Sequence, residues 1–406
     1  MMEYPELPPL ARSRAALGLT AAAAVGRFEL QVCCSCSAVQ YPPREACHRC
    51  LSSRLDWRLQ DGRGELLSET TLLHSHHEFF RTRLPIRLGL VRLASGPTAV
   101  VYVHGRVSGA PARVRIEAHL DKAGRAALVA LPEHGLTRMG DPQVTDQGYL
   151  REMTCDPKGR KVLVTETTGA VGLALVRELI DAGADTVWAG YGTHARVAEA
   201  SGVRDLAANG RQVRLLTLDV ASDVSVRDAA RLVGGEVDIL INTAEGRGSP
   251  ATPGGAVDPA RTEMDIDYFG LLRLAQAFVP LMRASAATAH SSVTAWVNLL
   301  SIHALSSLPA RSAFSAAKAA AYSHSQALRA RLQSSGIRVV NVFPGPIDDE
   351  SDRDLPPPKL APTTLARAMV RALTEGVEDL YPGEVAQDGY ARWRDNPKVL
   401  EREIAG

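Results

Sequence analysis

The residues whose types and spacing speak most directly of chemistry are Cys33-x-x-Cys36 and Cys47-x-x-Cys50, two knuckles separated by ten residues. Two such turns bring four thiolates to the corners of a tetrahedron with little chain strain, and four sulfurs close the shell of a zinc ion. A closed shell leaves no position for water or substrate, so the expected zinc is structural. Cys34 is a spare inside the first knuckle, set too close to Cys36 to replace a ligand, and Cys155 stands alone. Clustered cysteines mark a metal site in a reducing compartment, not a disulfide framework, and the expected location is cytoplasmic. His74, His76 and His77 suggest a second ion, but adjacent histidines on a strand point to opposite faces. A solvated strand end accounts for them better.

Composition narrows the partners. Charged residues make up 22 % and the formal net charge is +1, so no overall field draws nucleic acid or an anionic membrane. With 5 % aromatics there is little to stack single-stranded bases upon. No apolar run approaches the ~20 residues that span a bilayer. The stretch 15–25 follows Arg12 and Arg14 as a secretory leader would, but it is mostly alanine and is preceded by Glu3 and Glu6. A short helix is expected there, because alanine is the best helix former.

Elements must position these groups. From Phe28 to about Pro132 the chain reads as knuckles followed by short strands, with Gly62-Arg63-Gly64 opening the strand region. Strands are expected over 65–73, 86–93, 99–107 and 113–119, separated by Gly, Pro, Asp and Ser turns. That spacing suggests a small barrel. A polar stretch of little periodicity, 132–158, reads as a linker. Beyond it, short apolar strands over 161–166, 186–189, 213–220, 238–244, 295–301 and 338–344 alternate with helical patterns over 171–182, 225–233, 262–282 and 313–332. Such alternation implies a doubly wound α/β domain, a parallel sheet covered by helices on both faces.

Phe28-Glu29-Leu30-Gln31 before the first knuckle, Gln40-Tyr41-Pro42-Pro43-Arg44 between the knuckles, and Leu51-Ser52 after the second resemble a known acyl-CoA-associated family. That family joins a rubredoxin-like zinc ribbon to an OB-fold, and the resemblance covers roughly the first 130 residues. It implies a scaffold and acyl-CoA binder that accompanies a thiolase-fold enzyme.

Val162-Leu163-Val164-Thr165 followed by Gly169 and Gly172 resembles the first strand and turn of short-chain dehydrogenase/reductases. Leu218-Asp219-Val220, the 238–244 strand, Ser301, Lys318 and Asn341-Val342-Phe343-Pro344-Gly345-Pro346 extend the likeness from 161 to about 383. The resemblance implies an NAD(P) site with Gly169 and Gly172 at the pyrophosphate turn, Asp219 at the adenine, Asn242 after the fourth strand and Lys318 at the ribose. Gly190-Tyr191-Gly192 offers neither an acid for a ribose diol nor an arginine for a 2′-phosphate, so NAD and NADP stay unseparated.

Departures from the family pattern matter more. Glu166 stands where the family has its first glycine. A carboxylate ~5 Å from a phosphate charge costs roughly 3 kcal/mol at an effective dielectric of about 20, which weakens binding about a hundredfold. The usual Asn-Asn-Ala-Gly is here Asn242-Thr243-Ala244-Glu245. The family pairs a serine with a tyrosine thirteen residues on and a lysine four beyond; Ser301 and Lys318 match, but the tyrosine position holds Phe314. A phenyl ring cannot transfer the proton, and such acid–base help is worth ~10²–10⁴-fold. The family's relay asparagine aligns with Asp267. Ser301, Lys318 and Asp267 therefore read as a vestigial set.

The expected organisation is an N-terminal helix or extension over 1–27, a zinc ribbon over 28–58, an OB-fold over 59–132, a linker over 133–160 and a short-chain dehydrogenase-like domain over 161–406. The expected function is a scaffold and acyl-CoA-binding subunit for a thiolase-fold enzyme, fused to a catalytically impaired dehydrogenase-like domain. In the family the helices of 262–282 and 313–332 pack as four-helix dimers, which implies a homo-oligomer or a pairing with an active reductase subunit. The alternative is an NAD(P)-dependent 3-oxoacyl/3-hydroxyacyl-CoA oxidoreductase that uses Ser301, Lys318 and a water.

Overall fold

The computed structural model describes residues 7–9, 13–134, 148–192, 201–210, 212–235, 237–246, 257–288 and 294–405. The chain divides into two compact units, one built mainly of residues 1–155 and the other mainly of 156–406.

In the first unit the alanine-rich stretch forms α1 (Leu17–Ala24), which buries Leu19, Ala22 and Ala23. β1 (Glu29–Cys33) lies between β2 (Val39–Gln40) and β3 (Leu55–Leu59), both antiparallel to it, and this three-stranded sheet carries the knuckles. A closed barrel follows, made of β4 (Arg63–Leu72), β5 (Ile86–Leu93), β6 (Thr98–Val103), β7 (Ala112–Leu120) and β8 (Ala126–Pro132). Its order is β4-β5-β6-β8-β7, with β6 and β8 parallel and the other pairs antiparallel. Closure removes the exposed strand edges that invite aggregation. Gly89 on β5 makes room for the interior: a Cβ there would sit 2.4 Å from Leu66 Cδ1 and 2.7 Å from Val103 Cγ2. Leu19, Phe28 and Leu30 share one core with the barrel residues Leu66, Val101 and Ile116.

Two features differ from the sequence reading. β8 was not anticipated, because Ala126-Ala127-Leu128-Val129-Ala130-Leu131 is alanine-rich and buried on both faces, so it shows no alternation. The linker expected over 133–160 needs correcting. Residues 135–147 lie outside the described residues, but α3 (Gly148–Arg151) packs on the barrel. Tyr149, Leu150 and Met153 are buried against Ile86, Val129 and Leu131. Arg83, just past the short helix α2 (Glu78–Arg81), bonds both Glu152 oxygens at 2.6 and 2.7 Å, and both side chains are under a tenth exposed. A polar stretch reads as solvated until its partner, distant in sequence, is known.

The second unit is a seven-stranded parallel sheet of order β11-β10-β9-β12-β13-β14-β15. Its strands are β9 (Lys161–Val164), β10 (Thr186–Tyr191), β11 (Val213–Thr217), β12 (Ile239–Asn242), β13 (Thr294–Leu299), β14 (Ile337–Val342) and β15 (Asp379–Leu380). β12, β13 and β14 are buried at every residue, as a sheet covered on both faces requires. The helices are α4 (Ala170–Asp181), α5 (Ser201–Asn209), α6 (Asp223–Val233), α7 (Val257–Met264), α8 (Gly270–Thr288), α9 (Ser312–Gln333), α10 (Pro362–Glu375), α11 (Glu384–Asp395) and α12 (Pro397–Ala405). The helix expected over 262–282 is in fact α7 and α8 joined by a π-helical turn, Asp265–Phe269. Such turns recur at functional positions, and Asp267 sits at the centre of this one. α10 was not among the expected helices, although Leu365, Ala366, Met369, Val370 and Leu373 recur at helical spacing, and the two-residue β15 left no signal.

Candidate metal centre and active site

The knuckles bring their sulfurs together. Sγ atoms of Cys33, Cys36, Cys47 and Cys50 lie within 4.8 Å of one another, with Cys33–Cys50 and Cys36–Cys47 each at 3.6 Å. Thiolates ~2.3 Å from a tetrahedral zinc stand about 3.8 Å apart, so the donor set fits that ion. The four cysteines form a structural zinc site. Ser35 N and Arg49 N each donate to a ligand sulfur at 3.4 Å. Each knuckle closes through a backbone bond, Ser37 N to Cys33 O and Leu51 N to Cys47 O, and both Ser37 and Leu51 adopt left-handed φ (58° and 61°). The intervening loop hangs on two buried glutamines. Gln31 Oε1 accepts from Gln40 Nε2 (2.9 Å) and Arg44 N (2.8 Å), and Gln40 Oε1 accepts from His48 N (3.0 Å). Cys34 is exposed, outside the cluster, and His74, His76 and His77 are mostly exposed past the end of β4. Among the described residues only the four cysteines gather as a metal set.

In the second unit the β9–α4 turn keeps its tight packing. A Cβ on Gly172 would lie 2.2 Å from Glu166 O, so helix and turn approach only because that residue is glycine. Gly169 caps α4, and its Cβ position faces open space. Thr165 Oγ1 donates to Asn242 Oδ1 (3.0 Å) and accepts from Thr243 N (3.0 Å), which ties the ends of β9 and β12 together. Asn242 is thus committed at one end to the scaffold. Asp219 stands apart, after β11, where its Oδ1 accepts from Ala221 N (3.0 Å). Glu166 does not swing into solvent. Its Oε1 accepts from Thr168 N (2.7 Å) and Thr168 Oγ1 (2.5 Å), so the turn already holds an anion of its own.

Ser301, Phe314, Lys318 and Asp267 converge. Ser301, following β13, and Phe314 on α9 line one cleft, together with Glu245 and Leu308. Lys318, one turn past Phe314, has its Nζ 5.4 Å from the centre of that ring. The ammonium is almost wholly buried, and three acceptors surround it: Asp267 Oδ1 at 3.0 Å, Leu299 O at 3.2 Å and Glu245 Oε1 at 3.6 Å. Burial pulls its pKa down, and Asp267 and Glu245 more than reverse that, so it is raised. Glu245 is the residue the sequence reading noted only as a departure and did not place. Burial drives its carboxyl up to about 7, Asp267 adding to the rise while Lys318 opposes it. The signal for its placement was present: an acid where a glycine belongs, in a domain with a conspicuous lysine.

A bound dinucleotide needs an open turn at α4 and a lysine free for the ribose. Gly169 and Gly172 meet the first need in shape. The Glu166 carboxylate on the turn and the Lys318 enclosed by two carboxylates oppose both in charge, so these residues fit the cofactor's outline but not a tightly held anionic cofactor.

Comparison with known proteins agrees with this architecture. Residues 160–359 match the short-chain dehydrogenase family model, residues 20–56 the ChsH2 rubredoxin-like zinc ribbon domain, and residues 57–125 the ChsH2 C-terminal OB-fold domain. 1-Deoxy-11-beta-hydroxypentalenate dehydrogenase of Streptomyces exfoliatus is 30 % identical over 49 % of this chain and 72 % of its own length. The Streptomyces avermitilis protein of that name is 28 % identical over 49 % of this chain and 73 % of its own. A short-chain dehydrogenase of Burkholderia cenocepacia, solved with NADP, superposes with a TM-score of 0.55 at 30 % identity, over 62 % of this chain and 99 % of its own. The chain belongs to the short-chain dehydrogenase family and carries ChsH2-type zinc ribbon and OB-fold modules ahead of that domain. Among the described residues no helix is long and apolar enough to cross a membrane.

Proposed function

We propose that this protein is an organiser of acyl-CoA chemistry. In this reading the ribbon and barrel dock a thiolase-fold enzyme and hold the acyl-CoA, while the dehydrogenase-like domain serves assembly, and its hydride transfer is impaired. The observation that carries the impairment is Phe314: a phenyl ring faces the Lys318 ammonium where a phenol would hand over its proton. The enclosure of Lys318 by Asp267 and Glu245 supports it, because a lysine bound to two carboxylates has little left for a ribose. The ChsH2-type modules support the partner, and the long helices α8 and α9 support pairing with a second copy or with an active reductase.

Affinity capture of the full chain from its native cell, followed by mass spectrometry, tests the partner. A thiolase-fold protein recovered in stoichiometric amount is expected; its absence from repeated captures ends the scaffold reading. Cofactor titration by intrinsic fluorescence tests the impaired domain, with no saturation below roughly millimolar NADH or NADPH expected.

A further inference from the structure

We propose that Glu245 is a general base of this cleft that removes a proton from carbon next to a carbonyl, on a 3-oxoacyl thioester, without any cofactor. Such chemistry needs a carboxylate, a donor for the enolate oxygen and an apolar wall. Glu245 and Ser301 line one cleft, walled by Leu308, Phe314, Ile347 and Leu355. Ser301 Oγ accepts from His303 N at 3.2 Å, so the hydroxyl hydrogen is left to donate to a substrate oxygen. Lys318 Nζ, 3.6 Å away, stabilises Glu245 once it is ionised, and Asp267 also pairs with the lysine, at 3.0 Å. Phe314 closes the wall where a phenol would compete for the proton.

The step balances without oxidant or reductant. The Glu245 carboxylate takes a proton from C2, the C–H electron pair moves into the C2–C3 bond, and the C3 carbonyl becomes an enolate held by the Ser301 hydroxyl. The carboxyl, 24 % exposed, exchanges that proton with solvent and returns another to C2. The groups facing Glu245 are Lys318 from α9, Asp267 from the π turn and Asp349 and Asp352 from the loop after β14, with His303 and Arg311 on the cleft wall. Burial raises Glu245 to about 7, which leaves a base poised near neutral pH.

The choice of a thioester rests on the acyl-CoA reading, so two probes are used with the full-length protein in D₂O: S-acetoacetyl-N-acetylcysteamine and pentane-2,4-dione. Exchange at the central carbon is followed by proton NMR against a protein-free control at each pH. Acceleration of at least tenfold is expected for the thioester, rising with pH through about 7. Glu245→Gln should return it to the control, and Ser301→Ala should lower it less. Circular dichroism checks that each variant is folded, and the wild-type pH profile gives a test that needs no variant. Acceleration of the dione alone keeps the base and counts against the thioester. Rates equal to the control for both probes, or an unchanged rate in Glu245→Gln, overturn the proposal.

Discussion

Lys318 Nζ stands 3.0 Å from Asp267 Oδ1, and both side chains are almost completely buried. A buried ammonium is tolerable only with such company, because leaving either charge alone costs about 3–5 kcal/mol. The π turn that carries Asp267 and the helix that carries Lys318 are therefore pinned to each other by charge. The pair gives Lys318 a structural partner inside the fold, whatever else the residue does.

Glu166 predicts a gain. Its carboxylate occupies the Thr168 amide at the start of the cofactor turn. Glu166→Gly removes a repulsion of roughly 3 kcal/mol, and NADH affinity should rise by up to a hundredfold in a fluorescence titration. Unchanged affinity would place the obstacle elsewhere.

Glu245 predicts a pH dependence of stability. Its folded pKa of about 7 lies above the ordinary 4.5, so between those values the folded chain holds a proton that the unfolded chain has released. Stability from this group is full below the lower value and is lost as pH rises to the higher one. Glu245→Gln has no such loss. Relative to wild type it should gain on the order of 2–3 kcal/mol between pH 5 and pH 8 in urea titrations.

The zinc ribbon predicts a stoichiometry. One zinc per chain should be released by mercurial titration, and Cys47→Ser should lose it. Removing the metal should also loosen α1 and the barrel, because Leu19 and Leu30 share the barrel's core. Hydrogen exchange would show the loosening as faster exchange in both.

Glu152 predicts a large loss. Its removal leaves Arg83 buried without its carboxylate, so Glu152→Ala should cost about 3–5 kcal/mol and free the α3 segment to proteolysis. A change under about 1 kcal/mol would mean that water solvates Arg83 there.

Much of this was legible in the sequence for physical reasons. The cysteine pairs are local, so their spacing alone announces a tetrahedral site. Gly172 is a single letter whose consequence, close packing of helix on turn, needs no coordinates, and the spacing that sets Phe314 one turn from Lys318 is equally local. The illegible part depends on long-range pairing. Glu152 reads as a solvated linker residue until Arg83, 69 positions earlier, is placed beside it. Glu245 reads as a mere departure until the fold sets it against Lys318. β8 failed for a different reason: a strand buried on both faces has no alternation to read.

The most direct measurement compares wild type with Phe314→Tyr for NADH- and NADPH-dependent reduction of acetoacetyl-CoA. The wild type is expected below about 0.1 s⁻¹, with the variant at least tenfold faster once the phenol is restored. Wild-type turnover near the ordinary ~10 s⁻¹ would contradict the claim that the lost hydroxyl disables this site.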